Sequence, residues 1–155
     1  MTIFTPISRR ALLAASAAGL AAPIFTRTGS ARAQERTAAM RLRFAFADQD
    51  FTATLEDNAS ARELFSMLPL DLTIGDYSTN EKIAYLPRKL TGQGSGRFDG
   101  EAAGDLCYYA PWGNLALFHG PYRWSSGLIR LGRLDHGARP LLVRGEHRLR
   151  VETLS

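Results

Sequence analysis

GDLCYYAPWGNLALFHG, residues 104–120, decides how the rest of the chain is read. It reads as two strands joined by a bend. Leu106, Tyr108 and Ala110 share one face of the first strand, and Cys107 and Tyr109 share the other. Pro111, Gly113 and Asn114 supply the turn chemistry: proline fixes φ, and glycine tolerates φ > 0. Leu115, Ala116, Leu117 and Phe118 are apolar on both faces, which predicts a strand covered on both sides rather than an edge. Tyr109, Trp112 and Phe118 gather near the Asn114 amide. That grouping fits either a binding wall or the core of a barrel.

The strands outward from this ribbon follow the same logic. Met40, Leu42, Phe44 and Phe46 share one face of an alternating run, and residues 51–55 alternate again across an Ala47–Asp50 turn. This predicts a hairpin with one apolar face. Ala61, Leu64, Phe65 and Leu68 form a helical stripe ended by Pro69, with Ser60 and Glu63 at capping-box spacing. Further strands are expected at Leu70–Ile74, Glu81–Leu86, Leu128–Leu134, with a bulge at Gly132, and Glu146–Thr153. Leu141–Val143 fits a helical turn or a short strand. About eight short strands and one amphipathic helix, with no strand–helix alternation, favour a mainly β, closed antiparallel barrel. A helix this short needs a sheet to cover.

The first 33 residues read as an address. Ser8-Arg9-Arg10-Ala11-Leu12-Leu13 opens an apolar run to Phe25, and Ala31-Arg32-Ala33 fits a cleavage site before Gln34. This predicts a twin-arginine signal at 1–33, a linker at 34–39 and a barrel domain at 40–155. The mature protein would be periplasmic or secreted, delivered by the twin-arginine translocation machinery. An ordinary export signal and an uncleaved anchor are the competing readings. Arg27 and Arg32 behind the apolar run count against the first, and the run is short for a membrane span, which needs about 20 residues. No stable span is expected after cleavage.

The leader also explains the charge. The 155-residue chain carries 19 Lys and Arg against 15 Asp and Glu, but residues 1–33 hold four of the arginines and no acid. The remainder is balanced at 15 of each. A balanced domain lacks the basic footprint of a nucleic-acid binder, so no nucleic-acid partner is expected. Cys107 is the single cysteine, so no intramolecular disulfide can form.

Catalytic motifs are sparse. Cys107, His119, His136 and His147 show no zinc-site spacing, so no metal and no cofactor are expected. Ser125 and Ser126 are not in a nucleophile elbow, and residues 91–97 are a Gly-rich loop without a Walker lysine. The best candidate site mixes aromatic faces, an amide and a cation: Tyr85, Arg88, Tyr109, Trp112 and Asn114. Such a set suits a small molecule or a peptide segment, while solvated charges and core aromatics are the competing reading. Tyr122 and Trp124 offer a third possibility, an aromatic loop that meets a partner protein.

The stretches 81–90, 104–118 and 125–133 resemble a bacterial family of small cyclophilin-like proteins, and the resemblance spans roughly Met40 to Leu154. It implies a closed barrel of cyclophilin type, smaller than true cyclophilins, and no established activity. True cyclophilins are peptidyl-prolyl isomerases with an arginine in a Phe-His-Arg-type strand. Here Arg88 follows Leu86-Pro87 instead, and it would be the catalytic residue if the chain were an isomerase.

Overall fold

The computed structural model describes residues 38–92 and 96–155. The leader, most of the linker and the centre of the Gly-rich loop lie outside the described residues. Eight strands occur among the described residues: β1 (Arg41–Phe46), β2 (Gln49–Leu55), β3 (Leu70–Tyr77), β4 (Glu81–Tyr85), β5 (Asp105–Tyr109), β6 (Asn114–Phe118), β7 (Leu128–Leu134) and β8 (His147–Thr153). All pairings are antiparallel, and the order β1-β2-β7-β5-β6-β4-β3-β8 closes on itself. Closure leaves no free sheet edge. The expected barrel and its single helix, α1 (Ala59–Met67), are therefore present.

Strand alternation sorts side chains as the sequence predicts. Leu42, Phe44, Phe51, Ala53, Leu106, Tyr108, Leu115, Leu117, Leu149 and Val151 fill the barrel interior, with Ala61 and Leu64 of α1 packed on the same core. The opposite face of the central ribbon is also buried. Cys107, Ala116, Phe118 and Leu128 form a second, smaller core outside the barrel, covered by Phe98, Tyr109, Tyr122 and Trp124. This is why β6 is buried at all five positions. It also places Tyr122 and Trp124 against the sheet rather than free in water.

An ion pair lies among the inward-facing positions, Asp76 opposite Lys82 across β3 and β4. Lys82 is fully buried, with its ammonium 2.7 Å from Asp76 and 5.6 Å from the Phe46 ring centre. The Gly145 amide and Lys82 together hold the Asp76 carboxyl below its ordinary range.

One local expectation is corrected. The N-cap of α1 is Asn58, whose side chain accepts from the Ala61 amide, and not Ser60. Ser60 instead donates to the Gly92 carbonyl at 2.9 Å, and Glu63 is engaged elsewhere. Of the two readings of the stretch around Leu141, the helical one holds: Arg139–Leu142 is a 3-10 turn with proline in its first turn. β4 ends at Tyr85, and Arg88 to Leu90 run on as an irregular strap toward α1. The bulge near Gly132 is present as a register shift opposite Leu106 and Cys107. A Cβ at Gly132 would sit 2.2 Å from the Thr54 carbonyl oxygen, so β2 and β7 pair closely only because this residue has no side chain.

Candidate functional site

The register of β6 against β4 builds the site. Ile83 lies opposite Ala116, Glu81 opposite Phe118, and Tyr85 opposite Asn114. Directly opposite residues share a face, so Glu81, Ile83, Asn114, Ala116 and Phe118 all lie on the outer surface of the barrel. Two loops wall this surface. The β3–β4 turn brings Tyr77 and Asn80, and the loop before β7 brings Tyr122, Arg123 and Ser125. Trp112, on the β5–β6 turn, and Tyr109 complete an open groove of about 390 Å³.

Trp112 meets Tyr77 and Tyr109 edge-to-face, each at a centroid distance of 5.4 Å. Tyr77 and Trp112 remain 42% and 45% exposed, so a corner of aromatic surface faces solvent. Asn114 is 1% exposed. Its Nδ2 donates to the Leu115 carbonyl at 3.0 Å, while its Oδ1 accepts from no group in the protein. An unpartnered buried acceptor costs about 1–3 kcal/mol. Glu81 lines the same groove, and burial alone raises its carboxyl pKa, with no neighbouring cation to offset it.

The walls are fixed from behind. Asp105 is fully buried; it accepts from Arg133 Nε at 2.7 Å, from the Tyr122 hydroxyl at 2.6 Å and from the Ala102 amide at 3.1 Å. The Tyr122 ring stacks on Phe118 with centroids 3.6 Å apart. Burial and the bond to Asp105 push the Tyr122 phenol up, so it stays neutral. Cys107 lies beneath, its sulfur 3.6 Å from the Tyr122 oxygen, and burial drives its thiol up to about 12. That is the setting of an inert packing residue and not of a nucleophile. The Trp112 turn is held by Lys89, whose Nζ donates to the Pro111 carbonyl at 3.0 Å.

The five residues singled out from the sequence divide into groups. Tyr109, Trp112 and Asn114 converge on the groove. Tyr85, 55% exposed, borders a neighbouring concavity of about 1170 Å³ with Asp71, Thr73, Arg148 and Arg150; Ile83 is the ridge between the two. Arg88 lines neither. It is ion-paired with Glu63 of α1, which also accepts from the Thr91 and Gly92 amides at 2.8 and 2.7 Å. The Arg88 bond and these amides hold the Glu63 carboxyl down to about 2. Arg88 therefore staples the strap to the helix. The cation of the groove is Arg123, on the exposed loop side.

Tyr77, Glu81 and Ile83 were missed by the sequence reading, although the alternation of β4 could have put Glu81 and Ile83 on one face. Among the described residues, no group of three or more His, Cys, Asp or Glu side chains is placed to hold a metal ion.

A family model described as the cyclophilin-like family matches residues 44–152. Among solved structures, the chain is similar to the solution structure of the hypothetical protein AF2241 from Archaeoglobus fulgidus. The TM-score is 0.60 at 19% identity, covering 78% of this chain and 99% of that one. At that identity the likeness speaks for the fold. No curated protein matches the chain.

Proposed function

Because the chain belongs to the cyclophilin-like family, and fold alone does not assign an activity, we propose from its own groove that it is a binding protein. It takes a small molecule or a peptide segment on the outer face of β4, β6 and β5. The observation that carries this reading is the Asn114 Oδ1. It is a buried acceptor without a partner beneath exposed aromatic rings, and a ligand donor that reaches it past those rings would complete its bond. We place this activity outside the cytoplasm. The reading of residues 1–33 as a twin-arginine leader supports export.

An isomerase reading needs a guanidinium free to donate to the prolyl nitrogen. Arg88 is committed to Glu63 and lies outside the groove. We therefore favour binding over catalysis.

The test is an NMR titration of the chain with a panel of metabolites and short peptides. Binding should shift the Ile83, Tyr109, Trp112 and Asn114 signals together. A panel that shifts none of them, or only residues inside the barrel, overturns the reading.

A further inference from the structure

We propose that the groove takes an organic cation, its ammonium group seated in the corner of Tyr77, Trp112 and Tyr109 beside the Glu81 carboxylate. The inference rests on the groove being the ligand site.

Several donors around the groove are spent. The Asn114 Nδ2 bonds the Leu115 carbonyl, the Asn80 Nδ2 bonds the Pro121 carbonyl at 2.9 Å, and the Tyr122 hydroxyl bonds Asp105. The electron-rich groups are left over. The Asn114 Oδ1 accepts nothing, and the Glu81 carboxylate is partly buried with no cation beside it. The Trp112 ring stands at 84° to Tyr77 and 79° to Tyr109, and both Tyr77 and Trp112 keep surface in water. Ring faces are negative and attract cations, tryptophan most strongly. Perpendicular rings beside a carboxylate make a corner that an ammonium group fills on several sides.

Arg123 is the opposing charge. It is exposed on the loop wall, where water and salt screen it, whereas Glu81 is half-buried and acts through a less polar medium. An organic cation fits better than a metal ion, since no three His, Cys, Asp or Glu side chains converge to hold one among the described residues.

The experiment titrates the full chain with choline and with its neutral isostere, 3,3-dimethyl-1-butanol, read by NMR at the Trp112 indole and the Ile83 and Asn114 amides. Choline should shift these signals saturably and bind at least tenfold tighter than the isostere. Glu81→Gln and Trp112→Leu should each weaken choline tenfold or more while the rest of the spectrum stays native. If choline and the isostere bind alike and Glu81→Gln changes neither, the cation inference falls and the groove remains a ligand site. If choline leaves the groove untouched while a peptide or metabolite shifts it, the cation inference falls alone. If nothing of any charge shifts the groove, the binding function falls with it.

Discussion

The Tyr122 hydroxyl donates to the buried Asp105 carboxylate at 2.6 Å while its ring lies flat on Phe118. One side chain thus ties the loop wall of the groove to β5 and covers the outer core of β6. Tyr122→Phe keeps the stacking and removes the bond. It should cost about 1.5–3 kcal/mol, since the acceptor is a charge. Asp105→Ala should cost more than Tyr122→Phe, because it removes the bonds to Tyr122, Arg133 and the Ala102 amide together. Urea unfolding of both variants checks the order.

Cys107 reports on the same wall. Its thiol, pushed up to about 12 by burial, should react with Ellman's reagent at pH 8 only as fast as the wall opens. Tyr122→Phe should speed labelling tenfold or more. Fast labelling of the unaltered chain would mean that the loop does not cover β5.

Glu63 gives the fold an acid-sensitive staple. Its carboxyl is held at about 2 in the folded chain against an ordinary 4.5. A lowered pKa adds stability that is complete above the ordinary value and is lost as pH falls toward the folded one. Glu63→Gln should therefore be less stable by about 1–2 kcal/mol at pH 7, a figure reduced for the exposure of Arg88. The gap between the two proteins should narrow from about pH 4.5 and close near pH 2. A gap that does not change with pH would show that the ion pair contributes nothing.

Gly132→Ala should destabilise severely, by about 3 kcal/mol or more, because the added methyl meets backbone and not a movable side chain. Thermal unfolding by circular dichroism measures it.

The barrel was legible because alternation is local. Each strand carries its own record of which face is buried, and residues 114–118 showed both faces covered. The cap of α1 was misread because Glu63 looks like a box partner for Ser60 until its real partners, Arg88, Thr91 and Gly92, arrive from 25 to 29 positions away. The site was legible on one side only. Tyr109, Trp112 and Asn114 sit on one short ribbon, so sequence proximity brings them together. Glu81 and Ile83 reach the groove through the β4–β6 register, a long-range pairing that local periodicity does not encode, and Tyr77 comes with them opposite Glu81. Arg88 and Tyr85 were grouped with the site by residue type, as its cation and one of its aromatic faces. A guanidinium with a carboxylate partner on the helix and a strand residue turned to the adjacent concavity do not belong to it.

The central claim is that Asn114 is kept for a ligand and not for the fold. The most direct test is the urea-unfolding free energy of Asn114→Leu without ligand. Leucine fills a similar volume and removes the unpartnered acceptor, so the account predicts stability equal to or above that of the unaltered chain, with the ligand response of the groove lost. A loss of more than about 2 kcal/mol would contradict it, because Asn114 would then be holding the barrel together.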